Sequence, residues 1–189
     1  MKKQESKPTE SYAAFLRGIN VGGNKVIKMA DVKKAFESMG FADVKTVGAS
    51  GNILFSGEPM DAAKMAKRLE DGLREKLAAT SSIIVRTREA LRQMTAAEPF
   101  KKIKATADTR LYVTFFNTPP ISKNKIAIPY RSPDKIFELL SLTGCELYSV
   151  VDLSTGGSTI DAMEIIEKEF GKSGTTRNWN TIQKLVEKE

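Results

Sequence analysis

Between Tyr12 and Arg86 the spacing of apolar residues changes period in a definite order, and that order restricts the fold more than any other feature of the chain. Tyr12 to Arg17 (YAAFLR) is a short apolar run ending at Gly18, which predicts a buried strand. A glycine-rich loop runs from Gly18 to Lys28. Met29 to Met39 then carries apolar residues at 29, 32, 35, 36 and 39, a helical spacing that Gly40 stops. Val44 to Val47 reads as a strand, Gly48 to Asn52 as a turn, and Ile53 to Phe55 as the strand that pairs back. Pro59 and Asp61 open a helix with apolar positions at 62, 65, 66, 69, 73 and 77, and the β-branched run Ser82 to Arg86 closes the unit. The order β-α-β-β-α-β is that of a ferredoxin-like split βαβ domain, expected over residues 12–87.

The second half, residues 88–189, is expected to form a second, smaller α+β unit, with residues 1–11 as a disordered tail. Thr87 is a candidate N-cap for a short helix to Met94, with Ala90, Leu91 and Met94 facing inward. Arg110 to Phe116 and Cys145 to Leu153 read as strands, and Ile136 to Leu142 is ambiguous between helix and strand. Ile160 to Phe170 reads as a helix with 160, 163, 166 and 170 on one face, and a last helix is expected from about Arg177 to Lys188. A divergent copy of the first unit would fit this order, although no residue-level repeat supports it.

Composition removes whole classes of chemistry. The 189 residues contain no histidine and one cysteine, Cys145. A Ser-His-Asp triad, a Cys-His dyad, a His-ligated zinc site and an internal disulfide are therefore excluded, and no cofactor is expected. Cys145 itself reads as a small buried hydrophobe. No run approaches the roughly 18 apolar residues that a membrane helix needs. The basic, polar start MKKQESKPTE has no apolar core of a signal peptide, so the expected location is the cytoplasm, away from membranes. Thirty Lys/Arg stand against 23 Asp/Glu, a net charge of +7, which admits nucleic acid or another phosphate-bearing ligand as partner. Residues 101–135 concentrate that excess, with eight basic residues against Asp108 and Asp134. This stretch is either a solvated set of loops or an electrostatic footprint for a polyanion.

Three stretches carry candidate binding residues. In Gly18-Ile19-Asn20-Val21-Gly22-Gly23-Asn24-Lys25 the glycines allow backbone N–H groups to converge on an anion, with Arg17 and Lys25 supplying charge. The four-residue gap from Gly18 to Gly23 matches a Walker A loop, but Asn24 stands where the lysine belongs and no Ser or Thr follows Lys25, so a P-loop NTPase is rejected. Arg17, Asn20, Gly22, Gly23 and Lys25 form either a generic anion loop or a wide turn. Ser50 and Asn52 flank Gly51 in the turn between the two central strands; this hairpin is expected at the sheet end opposite the exit of the first strand. Arg177, Asn178 and Asn180 are expected around the start of the last helix, where planar donors suit carboxylate or phosphate, with Thr175 or Thr176 as cap. The alternative for these three is structural hydrogen bonding. Trp179 falls on the apolar stripe with Ile182, Leu185 and Val186 and reads as a core anchor. Ser158, after Gly156-Gly157, allows a second anion nest or a plain helix cap.

The segments RGINVGGNK (17–25), SGNILFSG (50–57) and TTRNWNTIQKL (175–185) together resemble the bacterial family of unknown function DUF1697, in the expected order and over roughly residues 12–188. The resemblance implies an α+β fold with a ferredoxin-like N-terminal part and no particular reaction, substrate or cofactor. Residues 154–159 depart from the family's usual proline–aspartate–glycine turn, which weakens the case for an anion site at Ser158. The leading expectation is a non-enzymatic anion-binding module. The alternatives are an enzyme acting on a small phosphorylated or carboxylated metabolite, with Asp31, Asp152 and Asp161 near its loops, and a protein-interaction or oligomerisation module using an exposed sheet edge.

Overall fold

In the computed structural model residues 8–19, 27–154, 156 and 158–188 are described, with only the backbone at Ile160 and Asp161. The chain is mixed α and β, with two antiparallel sheets and five helices among these residues. It divides into two compact units, up to Leu91 and from Arg92 onward.

The first unit contains β1 (Glu10–Leu16), α1 (Met29–Ser38), β2 (Ala42–Thr46), β3 (Asn52–Gly57), α2 (Ala62–Leu77) and β4 (Ile83–Thr87). Its sheet has the order β2-β3-β1-β4, and each neighbouring pair is antiparallel. β1 starts at Glu10, inside the stretch expected to be a tail, while residues 1–7 lie outside the described residues. Alternation along the strands puts Tyr12, Ala14, Leu16, Ile53, Phe55, Ile83 and Val85 on one face. Val32, Ala35 and Phe36 of α1 and Met65, Ala66, Leu69 and Leu73 of α2 cover that face. Burying each large side chain there contributes about 1.5–3 kcal/mol. Tyr12 sits in this core because its polar tip is satisfied: the hydroxyl donates to Glu10 Oε2 at 2.6 Å and accepts from Met60 N at 3.0 Å. Asp61 caps α2 by accepting from Ala63 N and Lys64 N.

α3 (Arg88–Ala96) spans the boundary between units. Thr87 Oγ1 accepts from Ala90 N, as its N-cap reading requires, and Leu91 is buried. Ala90, expected to face inward, is exposed. The second unit contains β5 (Thr109–Phe115), β6 (Tyr130–Arg131), β7 (Phe137–Thr143), β8 (Glu146–Asp152), α4 (Thr159–Phe170), β9 (Thr175–Asn178) and α5 (Trp179–Glu187). The ambiguous 136–142 segment is a strand, and all pairs in the order β6-β7-β8-β5-β9 are antiparallel. Among the described residues this unit has five strands against four in the first, so it is not the smaller one, and its strand order makes it no copy of the first. Phe137, Leu139, Leu147 and Val151 pack with Ala162, Ile166 and Phe170 of α4. Cys145 is half-buried at the margin of that cluster rather than fully inside it.

The 175–178 stretch corrects the expected helix start. Thr175, Thr176, Arg177 and Asn178 pair with Phe115 through Tyr112 as the edge strand β9, and the helix begins only at Trp179. Its cap is Asn178, whose side chain accepts from Asn180 N at 2.9 Å, in place of Thr175 or Thr176. Trp179 is 6% exposed and meets Phe100 edge-on at 5.0 Å between ring centroids, with Tyr148 at 6.3 Å. Burial raises the Tyr148 phenol well above its ordinary pKa, so it stays neutral.

Candidate functional site

Antiparallel pairing decides which loops of the first unit meet. Phe15 lies opposite Asn52 and Leu16 opposite Ile83, so the exit of β1, the start of β3 and the start of β4 share one sheet end. The β2–β3 hairpin is therefore at the same end as the loop that leaves β1, not the opposite one. Because β1 and β3 run in opposite directions, the end of one must adjoin the beginning of the other.

The backbone makes this junction tight. Leu16 N donates to Gly51 O at 2.8 Å, and Arg17 N donates to Ser82 O at 2.8 Å. Ser81 Oγ donates to the Arg17 carbonyl at 2.7 Å. Gly51 has φ +71°, and a Cβ there would stand 2.7 Å from Ile19 Cγ2 and 2.8 Å from Leu16 Cβ. Only glycine meets both the left-handed backbone and the close approach. Asn52 is 2% exposed; its Nδ2 donates to Val47 O at 3.1 Å while Val47 N donates to Asn52 O at 2.8 Å. Asn52 therefore closes the turn, and Arg17 is held at the sheet end by backbone bonds to Ser82 and Ser81. Asn20, Gly22, Gly23 and Lys25 lie outside the described residues, as does most of the loop that joins Ile19 to Ile27.

The remaining candidates belong to the second unit. Arg177 lies on β9, not at a helix N-terminus, and its Nη1 donates to Thr175 Oγ1 and to Thr176 O, both at 2.8 Å. Burial without full solvation pulls the guanidinium down to about 10. Asn178 is a helix cap and Asn180 is exposed in the first turn of α5. Of the 154–159 stretch, Thr155 and Gly157 lie outside the described residues. Asp152 accepts from Ser154 N, and Ser154's hydrogen bonds hold its carboxyl below the ordinary value, so it is an ionised turn carboxylate.

One organising residue has no signal in the sequence. Glu169, 2% exposed in the last turn of α4, accepts from the hydroxyl of Ser122, from Asn124 N at 2.7 Å and from Asn124 Nδ2 at 2.8 Å. Its own carbonyl accepts from Lys123 N at 2.9 Å. The Ser122 hydrogen bond, joined by those of Asn124, holds the carboxyl below its ordinary pKa. This one side chain shapes a loop that carries the exposed cations Lys123 and Lys125 and presents Ile121 at 86% exposure. Its partners lie 45 and 47 residues upstream, beyond any local pattern. Among the described residues no group of three or more His, Cys, Asp or Glu is placed to hold a metal, and no helix is long and apolar enough to cross a membrane.

The family model described as protein of unknown function (DUF1697) matches residues 9–148. That span includes the RGINVGGNK and SGNILFSG segments and stops before TTRNWN. Among solved structures the chain is similar to the conserved bacterial protein SP0830 from Streptococcus pneumoniae, with 20% identity, a TM-score of 0.72, and coverage of 95% of this chain and 98% of that one. At this identity the likeness speaks to the fold alone. No curated protein matches the sequence.

Proposed function

The chain belongs to the DUF1697 family, and from that premise we propose that it is a non-enzymatic, cytoplasmic anion-binding module. Its phosphate-recognising end is the sheet end that carries Arg17. The observation behind this reading is the register of β1, which sets Leu16 against Gly51 and Arg17 against Ser82. Arg17, Ser50 and Ser81 then share one rim, and the partner is nucleic acid or another phosphate-bearing ligand. We read the first unit as ferredoxin-like, which the order β2-β3-β1-β4 and its antiparallel pairs support.

If RNA or DNA is the partner, contact is through phosphates and not through bases stacked on the sheet. Tyr12, Phe15 and Phe55, the aromatic residues of β1 and β3, are 1%, 0% and 2% exposed and offer no platform. The test is fluorescence anisotropy with labelled single-stranded RNA, single-stranded DNA and duplex DNA, using the full chain and Arg17→Ala. Phosphate-led binding weakens steeply with salt and depends on Arg17. Absence of binding at low salt refutes the reading.

A further inference from the structure

We propose that the groove between α1 and α2 binds a small aliphatic zwitterion, of which an α-amino acid with a branched apolar side chain is the simplest example. The groove has a volume of about 430 Å³ and is lined by Asp31, Lys34, Ala35, Ser38, Lys76 and Leu77, a size within the usual range for small-molecule sites. None of these residues belongs to the Arg17 rim, so the proposal stands independently of the anion reading.

The charged side chains of the groove lack ion-pair partners among the described residues, unlike their neighbours. On the same two helices Lys33 pairs with Glu37, Lys67 and Arg74 both pair with Asp71, and Arg68 bonds Met39 O and lies over the Phe41 ring. Asp31, Lys34 and Lys76 instead make no side-chain hydrogen bond or ion pair among the described residues. Two ammonium groups lining one concavity repel each other until an anion enters between them. A first-turn Asp31 and a last-turn Lys76 each suit their own helix dipole, but that does not account for Lys34 joining them. A carboxylate between Lys34 and Lys76, with an ammonium against Asp31, gives each of the three a neighbour of opposite charge and leaves one net positive charge. Ala35, 4% exposed, and Leu77 supply an apolar wall for an aliphatic stem. A phosphate dianion would satisfy the lysines but would face Asp31 with like charge and leave the apolar wall unused.

The experiment is a titration of the full-length chain, followed by backbone amide shifts, with L-leucine, 4-methylpentanoate, isoamylamine and inorganic phosphate. L-Leucine is expected to give saturable shifts at Asp31, Lys34, Ala35, Ser38 and Lys76, with an affinity in the millimolar range, and each of the other probes is expected to bind more weakly. Lys34→Gln and Lys76→Gln, both at exposed positions that leave the fold unchanged, should each weaken L-leucine about two- to fivefold. Asp31→Asn should weaken L-leucine but not 4-methylpentanoate. No saturable shift by about 10 mM, equal binding of phosphate, or indifference to both lysine substitutions overturns the proposal.

Discussion

The backbone N–H of Leu16 donates to the carbonyl of Gly51 at 2.8 Å, and a Cβ on Gly51 would lie 2.8 Å from the Cβ of Leu16. The turn before β3 and the end of β1 are thus in direct backbone contact, with no room for a side chain between them. Gly51→Ala combines a left-handed φ of +71° with two contacts shorter than real Cβ atoms make. It should cost about 2–4 kcal/mol. Gly48→Ala has φ +70° but nothing within 4 Å, so it should cost about 1 kcal/mol from backbone strain alone. Urea denaturation of both variants measures the difference, and equal losses would mean that the Leu16–Gly51 approach is not tight.

Glu169 gives stability a defined pH dependence. Its carboxyl is held below the ordinary 4.5 by the hydrogen bonds from Ser122 and Asn124. A depressed folded pKa contributes stability that is present above 4.5 and is lost as pH falls through the folded value. Glu169→Gln should therefore lower the thermal midpoint most near neutral pH, and the gap to wild type should close as the pH falls below 4.5. Thermal melts from pH 7 to pH 3 follow this directly. A gap that widens on acidification contradicts the assignment.

Ser149 makes the opposite case. It is fully buried in β8, between Leu147 and Val151 on the face covered by α4, and its hydroxyl has no hydrogen-bond partner among the described residues. A buried hydroxyl without a partner costs more than it contributes. Ser149→Ala should raise stability by up to about 1 kcal/mol, measured by chemical denaturation.

Trp179 anchors α5 against Phe100 and Tyr148. Trp179→Ala should cost about 3–5 kcal/mol, read by circular dichroism because Trp179 is the only tryptophan. Trp179→Phe keeps an aromatic edge toward Phe100 and should lose much less.

How much of this was legible in the sequence depends on the range of the interaction. The period changes from Tyr12 to Arg86 placed the strands and helices of the first unit to within a few residues, because each face is written in its own local spacing. The position of the Ser50–Asn52 hairpin differs from the expectation because it depends on how β1 and β3 are oriented, not on either strand's residues. The expectation of a helix from about Arg177, capped by Thr175 or Thr176, rests on a capping signal that is genuinely present. The cap is Asn178, and the two threonines, Thr175 and Thr176, belong to an edge strand whose partners Phe115 and Thr114 on β5 are far away in the chain. Glu169 was invisible for the same reason, since nothing near it in the chain marks it as buried. Of the candidate site, Arg17 and the Ser50–Asn52 turn come together, whereas Arg177, Asn178 and Asn180 have structural partners within four residues.

The central claim is that Arg17 and its rim recognise phosphate. The most direct measurement is the affinity of labelled single-stranded RNA for wild type and Arg17→Ala at about 50 and 200 mM salt, with melting temperatures taken alongside. The Arg17 backbone bonds to Ser82 and Ser81 persist in the variant, and the melting temperatures separate a lost phosphate contact from a lost stabilising one. The account predicts micromolar binding that falls at least about tenfold at the higher salt and is markedly weaker in Arg17→Ala. Wild-type affinity in Arg17→Ala, or no binding by wild type at low salt, would contradict it.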